Sequence, residues 1–357
     1  MVTSNDVGSM RWGVLAVSAT MRDVARLADV SVKTVSNVVN RFPYVSGATR
    51  TRVLAAIDEL GYQMNFAARN LSLGRTGLIA LAVPELSLPY FGELASEVIR
   101  AAEVRGYTVL LEQTGGLRER ELEVLGSERR RMSDGLIFSP VGLRAGDAPE
   151  LEVEFPMVLL GERALQSKVH HVAMANVAGA RAATEHLLAG GRRHIALVGS
   201  YDAEGAGAGS LRTRGFLDAL DAAGVQHDPS RTGAAIVWTR STGAEAMRKI
   251  LDRGIPIDAV FGLNDVLALG AMRVLFECGL RVPDDVAVVG FDDIDEARFS
   301  RPSLTTVQPG RIQIARTAVA LLVKQLEGGL PAESTGEQFV ADFTLELRES
   351  TTGLTGT

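Results

Sequence analysis

Residues 20–40 read TMRDVARLADVSVKTVSNVVN, and this stretch decides how the N-terminal part of the chain is to be understood. Its apolar residues recur at helical spacing in two short runs. Arg22 to Ala28 places Val24, Leu27 and Ala28 on one face, and Val32 to Asn40 places Val35, Val38 and Val39 on one face. Between them Asp29-Val30-Ser31 reads as a turn, and Ser31 suits a helix N-cap because its hydroxyl can accept an amide of the first turn. The second run leaves Val32, Lys33, Ser36 and Asn37 outside. A helix that enters the major groove needs a small buried face and a polar outer one. Lys can donate to guanine, Asn can pair with adenine and Val can touch a thymine methyl. The same spacing also fits a small helical bundle with no role in DNA binding, so these residues alone leave both readings open.

Beyond Pro43, Ser46 is expected to cap a third helix running to Leu60, with Leu54, Ile57 and Leu60 inward and Arg50 and Arg52 off that stripe. Gly61 supplies the stop. Asn65 to Leu73 is a further helical stretch, closed by Gly74 and too short to be stable alone. Residues 1–19 read as a disordered tail, and Met21 is an alternative start. The apolar piece Trp12 to Val17 is short, broken by Gly13 and lacks a basic lead, so no export signal is expected.

From Leu78 onward the pattern changes to apolar runs alternating with amphipathic ones. The expected strands are 78–83, 107–111, 135–138, 157–160, 194–199, 234–238, 258–262 and 286–290. Expected helices include 91–105, 177–190, 211–223, 242–253, 264–277 and 310–327. Continuous apolar strands between helices argue for parallel sheets covered on both faces, and the length favours two lobes over one.

The 357 residues are 46% hydrophobic and 22% charged, ample for more than one core. Net charge is −6, but residues 20–74 carry seven basic side chains (Arg22, Arg26, Lys33, Arg41, Arg50, Arg52, Arg69) against four acidic ones (Asp23, Asp29, Asp58, Glu59). A basic module on an acidic body fits separate DNA and ligand functions. The single cysteine, Cys278, excludes an intrachain disulfide, and no Cys/His cluster suggests zinc. No apolar run is long enough for a membrane span. A cytoplasmic, nucleoid-associated protein without a cofactor is expected.

Enzyme signals are weak. GlyAlaGlyAlaGly (205–209) precedes a helix, but Ser210 stands where a dinucleotide fingerprint needs its third glycine. No nucleophile elbow, P-loop or HExxH occurs, and His170, His171, His186, His194 and His227 have no metal-ligand spacing. Catalysis is not expected. Two other classes compete: a plain sugar-binding module, which would need an export signal and have no use for residues 20–62, and a Rossmann-type enzyme with an accessory helical domain.

Ligands of open α/β folds sit at strand ends. Residues so placed are Pro89-Tyr90-Phe91, Gly161-Glu162-Arg163, Asn176, Arg212, Trp238, Asn264-Asp265 and Asp292-Asp293. Arg and Asp beside an aromatic plate suit a polyhydroxyl ligand, and a purine fits too. Plainer roles compete: Trp238 as core, Asp265 as a charge at a helix N-terminus and Asp293 as a turn residue.

The chain resembles the LacI/GalR family of bacterial regulators. The matching residues are DVARLA (23–28), VSVKTVSNVVN (30–40), YVS and TR (44–46, 49–50), VLAAIDELGY (53–62), NFAARNL (65–71) and RTGLIA (75–80), and the likeness continues to about residue 350. The resemblance implies an all-α three-helix helix-turn-helix domain over 20–64, a hinge helix and linker over 65–76, and a two-lobed, periplasmic-binding-protein-like effector domain with parallel sheets over 77–350. Lobe one would take about 77–173 and 307–337, lobe two about 174–306 and 338–350, with 351–357 a tail. It implies base contacts from Val32, Lys33 and Asn37, and backbone contacts from Thr20, Ser31, Thr34, Ser36 and Asn40. Asn65, Ala68 and Leu71 would enter the minor groove from the hinge, Leu71 as a wedge. Arg212, Asn264 and Asp292 would be polar effector contacts, Phe91 and Trp238 walls, and Asn176 a further contact. The implied partners are a pseudo-palindromic duplex, a small effector, preferably a sugar, and a second copy of the chain. The chain lacks the leucine-rich tail of tetrameric relatives, so a homodimer is expected. Three positions depart from the family pattern: Asp29 stands for glycine in the turn, Met64 for the proline entering the hinge, and Ala175 for an aspartate before Asn176.

Overall fold

The computed structural model describes residues 19–39, 42–62, 75–126, 132–162, 168–199, 207–328 and 336–352. The chain divides into two compact units, Met1–Arg75 and Thr76–Thr357. Asn40, Asn65, Ala68 and Leu71, as well as Met64 and Arg163, lie outside the described residues.

In the first unit α1 (Met21–Leu27), α2 (Val32–Val39) and α3 (Gly47–Leu60) close around Val24, Ala25, Ala28, Val35, Val38, Val53 and Ala56. Thr20 starts α1 with a capping box: its hydroxyl accepts the Asp23 amide (3.3 Å), while Asp23 accepts the Thr20 amide (3.0 Å). Asp29 makes the turn with φ 49°, a left-handed conformation that Asp tolerates better than most non-glycine residues. Gly61 ends α3 at φ 57°. Two inward assignments need correction. Leu27 is 45% and Leu54 48% exposed, and Ala25 and Val53 are buried instead. Three short helices meet at close range, so small residues occupy the centre and the leucines one position away are turned out.

The second unit holds two six-stranded sheets. The first contains β1 (Leu78–Val83), β2 (Thr108–Gln113), β3 (Gly135–Phe138), β4 (Met157–Leu160), β5 (His170–Ala173) and β11 (Gln338–Val340), in the order β11-β5-β4-β3-β1-β2, all parallel. The second contains β6 (Ile195–Val198), β7 (Thr232–Gly233), β8 (Ala259–Gly262), β9 (Ala287–Phe291), β10 (Thr305–Gln308) and β12 (Thr344–Glu346), in the order β12-β10-β9-β8-β6-β7. Only β12 is antiparallel to its neighbour. Lobe one is covered by α4 (Pro89–Glu103), α5 (Arg118–Gly126) and α11 (Arg311–Leu326). Lobe two carries α6 (Asn176–Ala189), α7 (Ala208–Ala222), α8 (Arg240–Leu251), α9 (Asp265–Glu277), α10 (Asp295–Phe299) and α12 (Glu349–Thr352). Central strands such as β3, β4, β6 and β8 are buried along their whole length, as continuous apolar runs require.

The chain crosses between lobes three times, after β5, β10 and β11. The crossings fall close to the approximate boundaries expected, with Val307 and Gln308 still pairing in the second sheet and Gln338–Val340 in the first. The expected strand 234–238 is not one. Only Thr232–Gly233 pair, and Ile236 and Val237 stand 75% and 59% exposed. Strands β5, β10, β11 and β12 escape the apolar pattern because HHVA, TTVQ, QFV and TLE are short and mixed in polarity. Among the described residues no helix is long and apolar enough to cross a membrane.

Candidate functional site

The strand ends of the two lobes meet around Arg212, which α7 delivers to the interior with only 2% of its surface exposed. Its guanidinium is held from several sides. Nε donates to Asn176 Oδ1 (2.7 Å), Nη1 to the Leu263 carbonyl (2.6 Å) and Nη2 to Met174 Sδ (3.4 Å). Its Cζ lies over the Phe291 ring, 3.6 Å from the centroid, and 5.6 Å from the centroid of Trp238. Nη2 approaches Asp292 Oδ1 to 3.2 Å. That contact is an ion pair without hydrogen-bond alignment, and Asp292 Oδ1 is a buried oxygen with no hydrogen-bond donor. A buried carboxylate oxygen without a donor is costly, so a ligand hydroxyl or amine placed there would satisfy it.

The site is electrostatically tense. Burial lifts the Asp292 carboxyl to about 6, against the pull of Arg212 and Arg311, and Glu162 pushes it the same way as burial. Asp265 is raised well above the carboxylate range, first by burial and then by Asp292. Burial, with Asp292 and Glu162 nearby, pushes the Tyr90 phenol up, which keeps it a neutral donor. Tyr90 meets Phe91 edge-on with centroids 5.3 Å apart.

The other expected contacts fall as follows. Asn176 opens α6 and bridges the lobes, because its Nδ2 donates to Glu162 Oε1 (2.9 Å) while its Oδ1 receives Arg212. Ala175 before it makes no side-chain cap. Asn264 caps α9, its Oδ1 accepting the Leu267 amide (3.0 Å). Its NH2 has no acceptor among the described residues. Trp238 is half-buried in irregular chain rather than at a strand end, and its Nε1 donates to the Gly199 carbonyl (3.2 Å). Phe91 is half-buried in α4.

Asp265 does stand in the first turn of α9, as expected of an acid at a helix N-terminus, but burial and specific partners set it apart. It is fully buried and accepts Thr306 Oγ1 (2.5 Å) and the Ile294 amide (2.9 Å). Asp293 is a turn residue at φ 48°, and also a buried acid paired with Arg348 (2.5 Å) and Arg298 (3.2 Å). Tyr90 and Glu162 also stand at the site, within the strand-end strings but with no feature of their own to mark them. Phe291 and Met174 gave no signal, since an apolar residue beside a charge looks like any core residue in one dimension.

In the first unit, α2 turns Val32 (42% exposed) and Lys33 outward at its start, and Asn37 is half-buried one turn on. Lys33 has no ion-pair partner among the described residues. Ser31 accepts the Thr34 amide (3.0 Å), and the two hydroxyls lie 2.8 Å apart. Thr20 donates its hydroxyl to Asp23 (2.6 Å). Ser36 is half-buried on the same helix. No acidic side chain occupies the first turn of α2, so its positive helix end remains open to an anion.

Residues 20–65 match the model for bacterial regulatory proteins of the lacI family, and residues 184–351 match the periplasmic binding protein-like domain. The ribose operon repressor of Halalkalibacterium halodurans is 36% identical over 308 residues, covering 86% of this chain and 90% of that one. The solved transcriptional regulator CelR–cellobiose complex is 33% identical, covers 93% of this chain and 99% of its own, and superposes with a TM-score of 0.68. The lac repressor dimer bound to operator and the anti-inducer ONPF is 29% identical at the same coverage, with a TM-score of 0.78. With a three-helix unit preceding a two-lobed body in the chain, and relatives matched over most of its length, this chain belongs to the LacI family of DNA-binding transcription regulators, which are not enzymes.

Proposed function

We propose that the protein is a dimeric, sequence-specific repressor of carbohydrate-metabolism genes, working in the cytoplasm at the nucleoid. A sugar bound between the lobes switches its affinity for a pseudo-palindromic operator. The observation that carries the effector reading is the donor-less Asp292 Oδ1 beside the stacked Arg212 guanidinium. Together they accept from and donate to neighbouring hydroxyls while aromatic rings pack on a sugar face. Asn176, Asn264, Phe91 and Trp238 complete the site. The relatives solved with cellobiose, or named for ribose, support a sugar over a purine.

On the DNA side, Val32, Lys33 and Asn37 read base edges. Thr20, Ser31, Thr34, Ser36 and Asn40 contact the phosphate backbone and set register. Asn65, Ala68 and Leu71 belong to a hinge over 65–76 that reaches the minor groove, between a 20–64 DNA-binding domain and the 77–350 effector domain. Effector moves one lobe against the other and thereby changes the hinge. A full switch needs on the order of 5 kcal/mol of differential effector affinity. The test is selection of sites from a random DNA pool at two salt concentrations, followed by a sugar screen on the recovered site. A palindrome whose affinity falls steeply with salt and responds to a sugar supports the reading. Recovery of no preferred sequence by folded protein overturns it.

A further inference from the structure

The loop from Asp292 to Asp295 carries the cleft carboxylate on a strained backbone. Asp292 and Asp293 have φ of 115° and 48°. Such values in successive non-glycine residues persist only where the surroundings over-determine them. Lobe two supplies part of the restraint: Arg348 and Arg298 hold the Asp293 carboxylate, and Asp265 accepts the Ile294 amide. The rest comes from lobe one. Arg311, the first residue of α11, donates from Nη1 to the Asp292 carbonyl (2.9 Å). Glu93 on α4 accepts the Asp295 amide at Oε1 (2.9 Å) and pairs with Arg311 through Oε2 (2.6 Å).

The two side chains are 26% and 16% exposed, so neither charge is well solvated and each needs the other. Across the lobes, Glu93 accepts one amide of the strained loop, and Arg311 donates to its carbonyls, at Asp292 and more loosely at Asp293 (3.4 and 3.5 Å). Separating the lobes would break these bonds while leaving the Glu93–Arg311 pair intact.

We propose that Glu93 is a positioning residue for the cleft. Paired with Arg311, it clasps loop 292–295 of lobe two to lobe one, so that Asp292 is held toward the ligand space only while the lobes are closed. The proposal rests on the effector-cleft reading for its consequence, but the clasp can be measured without any ligand.

The experiment is amide hydrogen exchange on the full-length protein without ligand, comparing wild type, Glu93→Gln and Glu93→Ala. In Glu93→Ala, amides 292–295 should exchange faster by about tenfold or more, the worth of a hydrogen bond to a charged group. Residues 195–198 and 259–262 in the lobe-two sheet should be unchanged. Glu93→Gln keeps an acceptor for Asp295 but loses the ion pair, and should fall between. If the alanine variant does not fold, the glutamine variant decides. Unchanged exchange at 292–295 overturns the proposal, and so does equal acceleration throughout the sheet, which would mark plain structural support.

Titration with cellobiose and ribose then separates the two readings. A sugar that binds wild type should bind Glu93→Ala about tenfold more weakly, by the same hydrogen-bond arithmetic. Equal binding overturns the positioning role. If neither sugar binds wild type, the sugar reading is what fails, and the exchange result still decides the clasp.

Discussion

The start of α2 and the cleft around Arg212 are both polar sites, built in opposite ways. On α2, Val32 and Lys33 stand exposed, and Lys33 has no ion-pair partner among the described residues. In the cleft, Arg212 is committed to Asn176, Leu263, Met174 and Asp292 and is stacked on Phe291. Exposed side chains can be changed one at a time without disturbing the fold. Buried, mutually bonded ones act as a group, so each serves both stability and recognition.

The largest effect should come from Arg212→Ala, which strands a buried carboxylate and is expected to cost about 3–5 kcal/mol of folding stability. Urea denaturation measures this. A loss under about 1 kcal/mol, the range of an exposed ion pair, would erase the contrast. Combining it with Asn176→Ala should be clearly non-additive, whereas Lys33→Ala with Arg26→Ala should be additive in stability.

Next comes pH. Because burial lifts the Asp292 pKa to about 6, the group favours folding while protonated, and that contribution is lost as pH rises through about 6. Asn stays neutral, so Asp292→Asn should gain on wild type between about pH 4 and pH 7, by up to about 3 kcal/mol. Denaturation midpoints of the two proteins that stay parallel across this range would contradict the assigned burial.

On the DNA side, Lys33→Ala should cost about 1–3 kcal/mol in operator binding and relax base preference at one position, with the melting temperature unchanged. A uniform loss on all sequences would place Lys33 on a phosphate instead. The smallest effect expected is that of Thr20→Ala, about 1 kcal/mol from the lost α1 cap, seen in melting of the N-terminal unit. Thr20 also stands among the proposed backbone contacts, so its effects on melting and on binding separate the two roles.

Legibility differed between the two regions for physical reasons. Helix caps and stops are local, so Ser31, Ser46, Gly61 and the Asp29 turn could be read from neighbouring residues. The cleft draws on residues far apart in sequence. Strand ends pointed to Arg212, Asn176, Asn264 and Asp292, but nothing local distinguished Phe291 as the plate under Arg212. Nor did it separate Asp265, buried against Thr306, from an ordinary helix-start acid. The apolar run 234–238 misled because hydrophobicity registers attraction to a core without saying whether a core is there.

By itself, the sequence determined the helix-turn-helix pattern, the alternation of strands and helices, and the residue types at the strand ends, all properties of short windows. The tertiary structure alone decided where the chain crosses between lobes, which of those polar residues bond one another, and that Asp292 keeps an oxygen without a donor. Burial and hydrogen-bond partnership depend on what distant segments bring to the same place, and no window of neighbouring residues contains that information.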